Sequence, residues 1–123
     1  MTQVRYLVDD VGQAIAFYVD VLGFTLKVQM GPAFARVTKG DLELWLSGPQ
    51  SSAARPMPDG SKPEAGGWNR FVIEVENIEK QVETLKQSGA TFRNDIVTGP
   101  GGKQIVLQDP FGNPIELFQP AQQ

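Results

Sequence analysis

Residues 3–8 alternate, with Val4, Tyr6 and Val8 on one side and Gln3, Arg5 and Leu7 on the other. That period of two predicts a strand with one strongly apolar face. From Val11 the period changes. Val11, Ala14, Ile15, Tyr18, Val21 and Leu22 recur at helical spacing, Asp10 stands at the N-cap position, and Gly23 supplies the stop. Short strands follow at residues 24–30, 34–38 and 42–47, with Gly31-Pro32 and Lys39-Gly40-Asp41 as their turns. In the last strand Leu42, Leu44 and Leu46 share a face, which leaves Glu43 and Trp45 on the other.

Residues 47–67 are dense in Pro, Gly, Ser and Ala and lack periodicity, so they read as a long surface connection, either a linker or a lid. Trp68 at its end is expected to seal the core. The pattern then restarts. Phe71, Ile73 and Val75 form an apolar strand face, Asn77 is a cap, Ile78, Val82 and Leu85 mark a helix, and Ser88-Gly89 ends it. Residues 91–97, 104–108 and 115–118 read as the strands that follow. Val8 matches Val75, Asp10 matches Asn77, Ile15 matches Val82 and Tyr18 matches Leu85, all at one offset of 67.

Each half therefore reads β-α-β-β-β, and the expectation is an α+β fold in one domain spanning 1–123. Module 1 covers about 1–48, the linker about 49–67 and module 2 about 68–119. One helix covers only one face of such a sheet, so the two halves are expected to cover each other. With the helices on the leucine and isoleucine faces, Gln3, Glu43, Arg70 and Glu116 project from the opposite faces, on the first and last strands of each half.

The last of these strands has a marked entry. Asp109-Pro110-Phe111-Gly112 suits a type I turn, and Asn113 before Pro114 is pushed towards extended geometry. Ile115 and Leu117 then face the core, and Glu116 and Phe118 face away from it. On this stretch alone Glu116 is a solvated edge carboxylate. As the lining of a cleft it becomes a functional candidate.

Composition removes many chemistries. The 123 residues include no histidine and no cysteine, so Ser-His-Asp and Cys-His catalysis, zinc-finger spacings and the two-His iron triad are excluded. No P-loop occurs, and Gly99-Pro100-Gly101-Gly102-Lys103 reads as a turn. A net charge of −3 without a basic run argues against nucleic-acid and anionic-membrane partners. The absence of a long apolar run or a leader pattern makes a soluble cytoplasmic protein the expectation.

The segments Val8-Asp9-Asp10-Val11, Ala16-Phe17-Tyr18 and Leu22-Gly23-Phe24, the strand Leu42-Glu43-Leu44, and the run from Asp109 to Leu117 resemble the vicinal oxygen chelate superfamily. This group includes glyoxalase I, the bleomycin-resistance proteins and the extradiol dioxygenases. The resemblance implies paired βαβββ modules forming a cup-shaped mixed sheet with helices outside, in a homodimer. It also implies metal-ligand positions at Gln3, Glu43, Arg70 and Glu116.

Arg70 departs from that pattern, because a guanidinium has no lone pair to give and repels a divalent ion. The expectation is that Arg70 bridges Glu43 and Glu116 in a metal-free, cofactor-free pocket that binds a small organic molecule. Arg5, Leu7, Trp45, Val72, Glu74 and Phe118 would form its wall, with Gln3, Arg5, Trp45, Arg70 and Phe118 as ligand contacts. Two catalytic readings stand beside it. One is a lyase, isomerase or dioxygenase of the glyoxalase I type, using Zn, Ni, Mn or Fe. The other has Arg70 as electrophile and Glu43 or Glu116 as base.

Overall fold

The computed structural model describes residues 1–122 and divides into two compact units, Met1–Gly66 and Gly67–Gln123. The first unit runs β1 (Thr2–Leu7), α1 (Val11–Ala16), β2 (Thr25–Met30), β3 (Phe34–Lys39) and β4 (Leu42–Ser47). Its sheet order is β1-β4-β3-β2, with β1 and β4 parallel and the other neighbours antiparallel. The second unit runs β5 (Phe71–Glu74), α2 (Ile78–Gln87), β6 (Thr91–Phe92), β7 (Val97–Gly99), β8 (Gly102–Gln108) and β9 (Pro114–Pro120). Its order is β5-β9-β8-β6, with β7 also on β8 and β5 parallel to β9. Both modules and the α+β class thus follow the sequence pattern.

Local chemistry sets the helix boundaries. Asp10 Oδ1 accepts from Gln13 N at 2.9 Å, and Asn77 Oδ1 accepts from Lys80 N at 3.1 Å, so each helix has a side-chain cap for an otherwise unpaired amide. After Ala16 the first helix widens. Leu22 N donates to Phe17 O at 3.2 Å, five residues back, and this wider turn carries Tyr18, Leu22 and Phe24 into the core. Tyr18 lies edge-on between Phe17 and Phe24, with ring centroids 5.2 and 5.4 Å away.

Each sheet has one dry face. In the first, Tyr6, Ala35, Val37, Leu44 and Leu46 are buried, together with Val11 and Ala14 of the helix. In the second, Ile105, Leu107, Ile115 and Leu117 are buried, as are Ile78, Val82 and Leu85 of α2. A buried leucine of this kind contributes about 2 kcal/mol by removal from water. Strict alternation then directs the intervening residues to the opposite face of each sheet.

Two local expectations are overturned. Residues 91–97 do not form one strand. Phe92 pairs with Leu107 and Val97 with Gln104, so the four residues 93–96 stand opposite only two, 105 and 106. The chain bulges there, and Asn94 Oδ1 takes the place of a main-chain carbonyl by accepting from Val106 N at 3.0 Å. Trp68 does not seal the core either; it is 71% exposed. It follows Gly66 and Gly67 at φ +115° and +90°, left-handed values that turn the chain and leave the indole outside. Among the described residues, no helix is long and apolar enough to cross a membrane.

Candidate functional site

On the first sheet the parallel register sets Gln3 beside Glu43 and Arg5 beside Trp45. Glu43 Oε1 accepts from Trp45 Nε1 at 2.7 Å and lies 3.4 Å from Arg36 Nη1. The carboxylate, 14% exposed, thus has an indole N–H and a cation as partners. The Arg5 guanidinium carbon sits 5.0 Å from the Trp45 ring centroid, and Arg5 Nη1 donates to Ser47 Oγ at 3.1 Å. Phe34 meets the same indole edge-on at 5.9 Å. Trp45 is therefore fixed by its N–H, by one ring face and by one edge, which makes it a preorganised aromatic wall. Gln3 is exposed beside it.

On the second sheet Val72 pairs with Glu116 and Glu74 with Phe118, so these side chains share a face. Glu116 is 9% exposed. Arg70, just before β5, donates through Nε to Glu116 Oε1 at 2.9 Å, and its Nη2 is 2.9 Å from the same oxygen. Nη1 of Arg70 donates to the Trp68 carbonyl at 3.2 Å. Both strong contacts converge on Oε1, so Glu116 Oε2 has no donor from a described side chain. Phe118 is half-buried and Glu74 exposed on this face.

The turn that leads into β9 is built on Asp109. Its Oδ1 accepts from Phe111 N and Asn113 N, each at 2.9 Å, and its Oδ2 from Asn113 Nδ2 at 2.9 Å. Gly112 N closes the turn on Asp109 O at 3.1 Å, and Gly112 has φ +86°. This network fixes where Pro114 begins the strand and thereby where Glu116 is presented.

Sequence reasoning assigned both carboxylates to one cation, Arg70. In the structure each has an arginine of its own module: Arg36 for Glu43 and Arg70 for Glu116. Arg36 was passed over, although the alternation of Phe34, Arg36 and Thr38 along β3 places it on the polar face. Arg93 was also missed, and no sequence signal marks it. Its Nη1 donates to Gly67 O at 2.7 Å, Nη2 to Gly112 O at 2.8 Å and Nε to Gln108 Oε1 at 2.8 Å, and its guanidinium lies 4.5 Å from the Trp68 ring. Arg93 ties the segment before Arg70 to the turn before Glu116.

The ligand set implied by the resemblance does not fit a divalent ion. Arg70 offers no lone pair, and its N–H groups already occupy Glu116 Oε1. Glu43 Oε1 is taken by an indole N–H. Within each unit the acid is thus already matched by a guanidinium, Arg36 for Glu43 and Arg70 for Glu116.

Two modules, each a strand, a helix and then further strands of which the last carries a largely buried glutamate, define a class of fold. The chain matches the Glyoxalase/Bleomycin resistance protein/Dioxygenase superfamily over residues 1–117 and belongs to that family. Escherichia coli K12 YaeR is 30% identical over 121 residues, covering 94% of this chain and 92% of YaeR. A superfamily member from Sphaerobacter thermophilus DSM 20745 has a similar structure, with a TM-score of 0.77 at 25% identity over 97% of this chain and 95% of that one. TnmS3, an antibiotic binding protein from Streptomyces sp. CB03234, gives 0.74 at 25% identity over 97% and 93%. Lactoylglutathione lyase from Agrobacterium tumefaciens gives 0.75 over 97% and 92%, and at 20% identity that likeness concerns the fold alone.

Proposed function

We propose that this protein binds a small organic molecule without a metal, using the polar faces of its sheets. Trp45 and Arg5 supply an aromatic wall and a cation, with Gln3 beside them. Arg70, Glu116 and Phe118 supply the second set of contacts, with Glu116 Oε2 as acceptor. The observation that supports this reading is the double contact of Arg70 with Glu116 Oε1, which sets a guanidinium against that carboxylate oxygen. The likeness to TnmS3 supports a binding role. The working protein is a homodimer in the cytoplasm on this reading, and sedimentation of the purified chain checks its mass.

A metal-dependent lyase, isomerase or dioxygenase is the competing reading, favoured by Gln3 lying in register beside Glu43. Elemental analysis of purified protein separates the two. The binding reading expects no stoichiometric zinc, nickel, manganese or iron in wild type, and a gain of zinc or nickel in Arg70→His. It also expects quenching of Trp45 fluorescence by planar organic ligands in a Trp68→Phe background. Metal at one ion per chain in wild type, or methylglyoxal-glutathione turnover abolished by a chelator, overturns it.

A further inference from the structure

The first unit also holds a cleft of about 320 Å³ at the carboxyl ends of β1 and β4, in the lower part of the size range of small-molecule sites. Its floor is the register pair Leu7 and Ser47, and Val8 N donates to Ser47 O at 3.0 Å beside them. Its outer wall is the connection that the sequence left as linker or lid, through Pro49, Ala54, Pro56 and Pro63.

That wall is built, not draped. Gly48 N donates to Ala33 O at 2.9 Å, Ser51 N to Gly48 O at 3.0 Å, and Ala54 N to Ser51 O at 3.1 Å. Met57 N donates to Ser61 O at 2.7 Å, closing a turn that returns the chain from Pro56 to Lys62. Ser61 N and Oγ both donate to Asp59 Oδ1, and the hydroxyl bond above all holds that carboxyl below its ordinary value. A Cβ on Gly48 would come within 2.8 Å of Val11 Cγ2, so only glycine lets the wall start this close to the helix.

The chemistry of the lining is specific. Leu7, Val8 and three prolines give it an apolar body. Ser47 beneath it is fully buried, and its hydroxyl oxygen accepts from Arg5. Asp9, Lys62 and Glu64 stand around the cleft, and none is ion-paired with another described residue. One cation, Lys62, thus lines the cleft together with two acids, Asp9 and Glu64. A singly charged ligand would meet repulsion as well as attraction, whereas a ligand carrying both signs is matched by both.

We propose that this cleft binds a small zwitterion with an apolar body, of the kind represented by a hydrophobic amino acid. Lys62 takes the carboxylate, Asp9 and Glu64 take the ammonium, and the prolines with Leu7 and Val8 pack the side chain. The site goes beyond the function proposed above and uses no residue of the second module.

Calorimetric titration of the whole chain with L-phenylalanine and L-leucine tests it, with phenethylamine and 3-phenylpropanoate as half-charged controls. The expected result is saturable one-to-one binding of at least one amino acid, and binding of its half-charged counterpart about tenfold or more weaker, as for loss of a charge-assisted contact. Lys62→Met, an exposed position, should weaken amino-acid binding by a similar factor while phenethylamine, relieved of a like charge, binds no more weakly than before. Ala54→Trp, which fills the cleft, should abolish binding. Absence of saturable binding by both amino acids, equal binding of a half-charged control, or binding that survives Ala54→Trp overturns the proposal. The metal analysis reads Gln3, Glu43, Arg70 and Glu116, and this titration with Lys62→Met and Ala54→Trp reads a cleft that none of those four lines, so failure of one leaves the other standing.

Discussion

Arg70 and Glu116 lie 46 residues apart in sequence and meet at 2.9 Å through both Nε and Nη2 on one carboxylate oxygen. The arginine side chain is 26% exposed and the glutamate 12%, so the pair is largely withdrawn from water. Removing one member leaves the other buried and unpaired. Arg70→Met is therefore expected to destabilise the protein by about 2–3 kcal/mol in urea unfolding, at or below the lower end of the range for buried pairs because the arginine retains some solvent. The double variant Arg70→Met/Glu116→Met should recover most of that loss. Equal destabilisation of single and double variants would show that the pair acts through packing alone.

Arg93 holds Trp68 in place from below while bonding Gly67, Gly112 and Gln108. Arg93→Lys keeps the charge but loses the fork that makes three directed contacts. A loss of about 1–3 kcal/mol is expected, together with a changed Trp68 emission in a Trp45→Phe background. Unchanged emission would mean that the cation does not restrain the indole.

Asp109 is 4% exposed and accepts from two main-chain amides of its turn, Phe111 N and Asn113 N. Asp109→Ala leaves both amides without that partner and should cost about 2–4 kcal/mol, measured by thermal or urea unfolding. Asp109→Asn keeps one side-chain acceptor oxygen, so its loss should be smaller. A milder effect from Ala than from Asn would contradict this account of the turn.

Glu79, in the first turn of α2, accepts from Lys103 Nζ at 2.6 Å, and that hydrogen bond holds its carboxyl below the ordinary value. A carboxyl depressed in the folded state stabilises the fold above its unfolded pKa. The contribution is lost as pH falls through the folded value. Melting temperature of wild type should thus fall more steeply than that of Glu79→Gln between neutral pH and about pH 3. The effect should shrink in high salt because both groups are exposed. Parallel pH profiles would rule the contact out as a source of stability.

The modular architecture was legible because burial imposes periods that a chain cannot hide. Val4 and Tyr6 alternating with Gln3 and Arg5 mark a strand with one dry face, and the shared offset between Asp10 and Asn77 marks the repeat. The same parity placed Glu43, Trp45, Glu116 and Phe118 on the polar faces, and the Asp109 turn was readable from its Pro and Gly. The contact of Arg70 with Glu116 was expected and is present, but the partner of Glu43 was missed, because parity states which face a side chain takes and says nothing of which neighbour it meets. Arg36 pairs with Glu43 only through the β3–β4 register, and Arg93 reaches Gly67, Gly112 and Gln108 only because the chain bulges after Phe92. Trp68 is outside because two consecutive glycines take left-handed conformations before it, a backbone choice that glycine permits but does not require. Sequence alone thus determined the elements and their faces, through hydrophobic periodicity. Tertiary structure alone decided which cation meets Glu43, what Arg93 holds and which aromatic is left in water, because those depend on register and chain direction between residues far apart.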